Sequence, residues 1–224
     1  MNTANIGLMS REVKGRGYRS PLRAEQARRT RREILDAARG LFGAQGYAAT
    51  TVAQIAAASG VAVDTVYAAV GTKPVLFRLL LETAISGTDE PVPAEEREYV
   101  KRIRAATGAR QKIETYAAAL RAISKRMAPL HLVLRDAAAQ APELARIRDE
   151  IALRRAANMR LFAQDLIATG ELRPELDAGE VADIVWSMNS AEFYSLLVEE
   201  RAWLPQQFEQ WLADAWCRLF LIDP

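Results

Sequence analysis

The stretch Thr50-Thr51-Val52-Ala53-Gln54-Ile55-Ala56-Ala57-Ala58-Ser59-Gly60-Val61-Ala62-Val63-Asp64-Thr65-Val66-Tyr67-Ala68-Ala69-Val70-Gly71-Thr72-Lys73 decides the fold. It opens on Thr51-x-x-Gln54, the form of a capping box, in which a hydroxyl and an amide satisfy the free backbone N–H groups that start a helix. Val52, Ile55 and Ala56 give that short helix an inward face. Ser59-Gly60-Val61 breaks it, because a glycine at position 60 can take the positive φ that a sharp interhelical turn requires. A second short helix follows from about Val63 to Val70, with Val66 and Val70 directed inward. Gly71-Thr72 closes it, and Lys73-Pro74 opens another helix, where proline in the first turn costs no hydrogen bond. Two short helices joined by a tight glycine turn, the second displaying small and polar side chains, form the architecture that places a reading helix in the major groove of DNA.

Working outward, Ile34, Ala38, Leu41 and Phe42 recur at helical spacing before Gly46, and Leu76, Phe77, Leu80, Leu81 and Ala84 do so before Gly87. The polar, proline-containing stretch Gly87 to Pro93 marks a domain boundary. Beyond it the spacing predicts helices at about 94–106, 109–127, 129–139, 142–169, 178–200 and 205–221, with breaks at Gly108, Pro129, Pro142, Gly170/Pro174 and Pro205. No alternating β-branched stretch and no internal repeat is present. The expected fold is all-α: a helix-turn-helix domain at 27–87 and a helical domain at 94–224, preceded by a flexible basic arm at 1–26.

The charge distribution agrees. The whole chain of 224 residues carries +2, yet residues 1–32 hold nine basic and two acidic side chains, so the remainder is at −5. A basic N-terminus on an acidic body suits phosphate contacts, although a solvated tail gives the same count. No run is long and apolar enough for a bilayer span and no secretory leader is visible, so the expected location is the cytoplasm. The single cysteine, Cys217, allows no intrachain disulfide and reads as a buried thiol. With one histidine, His131, and no phosphate loop or nucleophile elbow, the chain is not expected to be an enzyme, and neither cofactor nor metal is expected. Carboxylate chemistry in a helical chamber and a helical adaptor that binds protein are the readings that composition leaves open.

The segment from Arg32 to Tyr47, then Thr50 to Ala56, Gly60-Val61, Thr65-Val66-Tyr67 and Lys73 to Phe77, resembles the DNA-binding domain of TetR-family transcriptional regulators, over about residues 28–87. The resemblance implies roles. Thr50 or Thr51 would meet a phosphate at the start of the second helix, Val63 and Asp64 would touch base edges, and Thr65, Tyr67 and Lys73 would reach phosphates. Thr51 also reads as a cap alone, Asp64 as a complement to the helix dipole, and Tyr67 as packing. Ala62 stands where a Ser or Thr cap is common in the family, and Ala68-Ala69-Val70 replaces a more aromatic and polar helix end. With few long side chains left to read bases, thymine methyls, DNA shape or the arm motif Lys14-Gly15-Arg16-Gly17 in a minor groove would share the work, though a functionless tail explains that motif as well.

The resemblance further implies a homodimer through the last two helices, 178–200 and 205–221, whose stripes include Val181, Ile184, Val185, Met188, Phe208, Trp211, Leu212, Trp216, Leu219 and Phe220. The stretch Leu172 to Leu176 through Trp203-Leu204 is similar to the family's dimer region. It implies a small-molecule effector too, with Tyr116, Met127, His131, Met159, Phe162, Trp186 and Asn189, joined by Tyr99, Ile103 and Leu134, as candidate pocket residues. Each of these reads equally as core packing. An apolar cavity with few polar anchors favours a hydrophobic or aromatic effector. The expected partners are operator DNA, that effector and a second copy of the chain, acting as a repressor, with an activator as the alternative sign.

Overall fold

The computed structural model describes residues 21–223, where every regular element is helical apart from one isolated bridge between Leu172 and Leu221. Four helices form an N-terminal head: α1 (Pro21–Ala49), α2 (Val52–Ser59), α3 (Val63–Val70) and α4 (Lys73–Ser86). Because α1 starts at Pro21, residues 21–26 are helical and do not belong to the arm expected at 1–26. Proline fits a first helical turn, and side-chain pairs one turn apart, Arg28 with Glu25 and Arg29 with Glu33 at 2.9 Å, support this exposed end. The rest of the expected arm, with Lys14 to Gly17, lies outside the described residues. Gly46 interrupts α1 as its sequence position implied, with φ 78° and ψ 175°.

The head packs around aromatic rings. Phe77 from α4 meets Phe42 edge-on at 5.1 Å and Tyr47 at 5.5 Å, and Phe42 stacks on Tyr47 at 5.6 Å. Ile34, Ile55, Val66, Leu76 and Leu80 close around them, each fully buried. Burying one such side chain stabilises by roughly 1.5–3 kcal/mol, enough to hold short helices that would not persist alone.

The body contains α5 (Glu98–Ala105), α6 (Ala109–Ala138), α7 (Pro142–Ile167), α8 (Ala178–Met188), α9 (Ala191–Tyr194) and α10 (Pro205–Phe220). Three expected segments are corrected. The helix expected over 94–106 is a 3-10 turn at Ala94–Glu96 followed by α5, with Arg97 extended between them. The helix expected over 178–200 is divided: α8 ends at Met188, the Ser190 hydroxyl accepts from the Phe193 N–H at 3.1 Å to start α9, and a π-helical turn, Ser195–Glu200, follows. A local cap therefore overrode a continuous apolar stripe.

The third correction concerns Pro129, which does not break α6. Proline removes the bond to the carbonyl four residues back, that of Lys125, and both residues lie on the exposed face where water can reach the freed oxygen. Packing on either side holds the helix straight through. Ala128 belongs to the apolar core of the body, whereas Leu130 and Leu134 belong to that of the head. α6 thus runs through both cores and changes allegiance at its proline. Nearby, Arg126 donates from Nε to the Ala84 carbonyl at 2.7 Å, fastening α6 to the last turn of α4.

Two polar devices complete the body. The Glu171 carboxylate, from the loop after α7, accepts from the Ala109 N–H at 2.8 Å and so caps α6, whose own N-cap is Gly108. Buried Lys112 donates to the Ile103 carbonyl at 2.9 Å and to Asp165 at 2.8 Å, tying α5, α6 and α7 together. Cys217 is buried on α10, as expected.

Candidate functional site

The first candidate site is the outer face of α3. The Thr51–Gln54 box forms as the sequence implied: the Gln54 N–H donates to Thr51 Oγ1 at 3.2 Å and the Thr51 N–H to Gln54 Oε1 at 2.8 Å. At the other end of α2, Gly60 is left-handed with φ 70°. Its N–H bonds to the Ala57 carbonyl at 3.3 Å and that of Val61 to the Ala56 carbonyl at 3.0 Å, the double closure of a Schellman turn. This turn sets α3 at 99° to α2. With Val66 and Val70 buried, Val63 (40% exposed), Asp64 and Tyr67 (49% exposed) form an outward stripe at i, i+1 and i+4. Thr51 is exposed at the start of α2, and Thr65 is half-buried. α3 carries no side-chain cap at Ala62, but its far end is held by Arg31 of α1, which donates to the Ala69 carbonyl at 3.2 Å.

Two residues expected to meet phosphate are turned inward. Thr50 is fully buried and its hydroxyl donates to the Gly46 carbonyl at 2.8 Å, closing the break in α1. Lys73 donates from Nζ to the carbonyls of Tyr47 and Thr50, both at 2.7 Å, with the ammonium 4.1 Å from the Tyr47 ring centre. Burial pushes the ammonium of Lys73 below its ordinary value and the Tyr47 phenol up to about 12. Lys73 is therefore a clamp on the α1–α2 junction, where two of the three donors of its ammonium are given to backbone carbonyls. Arg31 and Gln45 are structural residues that sequence reasoning missed. Gln45 donates to Gln54 Oε1 at 3.2 Å and to Thr50 Oγ1 at 3.3 Å, linking α1 to the cap of α2.

The second candidate site is a cavity of about 940 Å³ between α5, α6, α7 and α8, reaching Ile85 at the end of α4. All ten residues named from sequence, Tyr99, Ile103, Tyr116, Met127, His131, Leu134, Met159, Phe162, Trp186 and Asn189, line it. Tyr116 stacks on Tyr99 and on Trp216, at 6.2 and 5.8 Å, and meets Phe162 at 4.9 Å. Burial raises the Tyr116 phenol pKa. The Asn189 amide donates to Tyr116 Oη and Met159 Sδ, each at 2.8 Å, leaving its oxygen buried without a partner. His131 and Glu192 bond at 2.7 Å, which holds the Glu192 carboxyl down at about 2. Sequence reasoning missed Glu192 and Arg155. The latter reads in sequence as one of a solvated Arg154-Arg155 pair, and its only pointer is the four-residue spacing to Met159.

The structure thus joins a helix-turn-helix head to a helical body that encloses a cavity. Residues 34–80 match the family described as bacterial regulatory proteins, tetR family. Three solved structures share the fold. NalD, the secondary repressor of the MexAB-OprM multidrug efflux pump in Pseudomonas aeruginosa, is 20% identical, with 89% of this chain and 100% of that chain covered and a TM-score of 0.69. SmeT in complex with triclosan is 17% identical, covering 87% and 93%, with a TM-score of 0.68. The fatty acid degradation regulator FadR from Bacillus halodurans is 19% identical, covering 84% and 94%, with a TM-score of 0.61. No curated protein sequence matches the chain. Among the described residues, no single helix is long and apolar enough to cross a membrane.

Proposed function

We propose that this chain is a cytoplasmic repressor that binds a palindromic operator as a homodimer and is released when a small hydrophobic or aromatic effector enters the cavity. One observation carries the reading: the cavity and the head share wall material. Leu134 of α6 lines the cavity and sits in the head core, and Ile85 of α4 lines it from the head side. An occupant that shifts these residues shifts the helix that carries the reader, and linkage then requires DNA and effector to weaken each other equally.

Geometry and apolar exposure support the dimer. One eight-residue reading helix is a weak reader, and two half-sites about 34 Å apart are the usual remedy. Trp211 and Leu219 of α10 remain 38% and 44% exposed, a face suited to a second copy. On α3, Val63 and Asp64 would meet base edges, Thr65 and Tyr67 would donate to phosphates, and Thr51 would do so at the start of α2.

The test is selection of genomic fragments by the purified protein, followed by shift assays on the selected duplex. Tyr67→Ala is expected to weaken the selected and competitor sequences alike, whereas Val63→Gln is expected to change which sequences are selected. Binding with no preference among duplexes, or a monomer on the selected fragment, would overturn the reading.

A further inference from the structure

The cavity is lined by six arginines, Arg97, Arg104, Arg135, Arg148, Arg154 and Arg155, against two acids, Asp165 and Glu192. Both acids already have hydrogen-bond partners: Asp165 has Lys112 at 2.8 Å and Glu192 has His131 at 2.7 Å. Three of the arginines are also paired, Arg135 with Asp136, Arg148 with Asp149 and Arg154 with Glu82. Arg97 donates to the Val92 carbonyl at 3.0 Å, outside the deep polar patch.

Arg155 differs from the three paired arginines. In leaving a buried nitrogen without an acceptor it differs also from Arg97 and the exposed Arg104, which likewise have no acid partner among the described residues. Among the described residues it has no acid within ion-pair distance. It donates from Nη2 to the Trp186 carbonyl at 2.8 Å, and its guanidinium lies 4.3 Å from the Trp186 ring centre. Its Nε is buried with no acceptor, and burial pulls its pKa below the ordinary arginine value. The field of Glu192 reaches it, but that carboxylate is bonded to His131. Arg155 and Met159 stand one turn apart on α7, and Met159 touches both the Tyr116 hydroxyl and the Asn189 amide. Asn189 leaves one buried polar atom unpaired as placed, and turning its amide over only exchanges which one. A half-buried cation without an anion is costly for a fold to keep, and the Trp186 carbonyl and ring compensate it only in part, so an anionic group brought to it would gain a charge-assisted bond.

We propose that the cavity takes an organic anion, a compact aromatic or alkyl body carrying one anionic head, with the head accepting from the guanidinium of Arg155 beside the Tyr116–Asn189 pair. The body would lie against Phe162, Trp186 and Met127. A volume of about 940 Å³ admits a molecule of drug size. This deepens the effector reading given above and rests on it for the biological consequence, but not for the binding itself.

Isothermal titration of the full chain with 1-naphthaleneacetate, 1-naphthaleneacetamide and trimethyl(1-naphthylmethyl)ammonium tests charge at nearly constant shape. The acetate is expected to bind about tenfold or more tighter than the amide, as a charge-assisted hydrogen bond implies, with the ammonium weakest. Arg155→Met keeps the side-chain bulk. It is expected to erase the acetate's advantage, leave the amide's affinity unchanged, and melt no lower than the parent protein, since an unpaired buried charge has been removed. A merely structural arginine would lower the melting temperature and all three affinities together. Should Arg155→Met not fold, Arg155→Lys keeps the charge without the planar fork and is expected to retain part of the preference. Equal affinities, a preference for the ammonium, no binding of the acetate, or an acetate advantage that survives in Arg155→Met would overturn the proposal. A shift assay in parallel separates the two readings: acetate bound through Arg155 without loss of DNA affinity supports the anion site and overturns effector-controlled release alone.

Discussion

The head and the body of this molecule are both helical and both have apolar cores, yet they differ in their polar groups. Among the described residues the head leaves one buried polar atom unpaired, Arg31 Nε, and the body three, Arg155 Nε, Asn189 Oδ1 and Trp216 Nε1. In the head the carbonyls freed at Gly46 are met by Thr50 and Lys73, α2 is capped at both ends, and three aromatic rings fill the centre. In the body, Tyr116, Asn189 and Arg155 surround a void, and two of them keep a buried polar atom without a partner. A satisfied core specifies one geometry, which a reader of fixed half-site spacing needs. An unsatisfied cavity leaves energy to be gained by an occupant, which a sensor needs.

The largest test of this contrast is to cut the same side chain in both places. Phe77→Ala is expected to cost about 3–5 kcal/mol by denaturant unfolding, because its ring is enclosed by Phe42 and Tyr47. Phe162→Ala, against an existing void, should cost less than half as much; equal costs would break the contrast. Next, Lys73→Met removes both bonds from Nζ, leaving the Tyr47 carbonyl only the Thr50 N–H and the Thr50 carbonyl no side-chain donor, and is expected to cost about 2 kcal/mol. The folded fraction should show the same salt dependence of DNA binding as the parent. A slope reduced by about one would restore Lys73 as a phosphate contact.

Thr51→Ala removes the cap of α2 and is expected to cost about 1 kcal/mol, read as a lower melting temperature of the head. Smallest is the pH response of the body. The Glu192 carboxyl is held from an ordinary 4.5 down to about 2 by its bond to His131. Its contribution to stability is therefore complete above 4.5 and is lost as pH falls from there toward 2. Glu192→Gln is expected to flatten that part of the acid unfolding curve, and solvent at this half-exposed pair keeps the change small.

The head was legible because its determinants are local. A cap, a glycine turn and a four-residue apolar spacing lie within one stretch of chain, and all reappear at the expected positions. What misled was long side chains: the spacing that puts Lys73 at a helix start does not reveal that Tyr47 and Thr50, more than twenty residues earlier, offer it carbonyls. In the body the pocket was implied by the resemblance, and the bulky residues named for it, Tyr99, Tyr116, Phe162 and Trp186 among them, do line the cavity, since such residues on inward faces converge wherever the helices meet. Arg155 and Glu192 were not legible, because a charged residue on a helix looks solvated until a neighbouring helix covers it. The continuity of α6 through Pro129 was hidden for a related reason: a proline stops a helix unless both flanks are anchored, and the anchors come from two different cores.

That proline gives α6 a mechanical character. The helix is a rod gripped at each end by a different block, with one rung missing where the grips meet, so bending concentrates at a single residue instead of spreading along thirty. On the proposed function, a twist applied at the cavity would reach the head as a change of angle, passed to α4 through the Arg126 fastening just before the soft point.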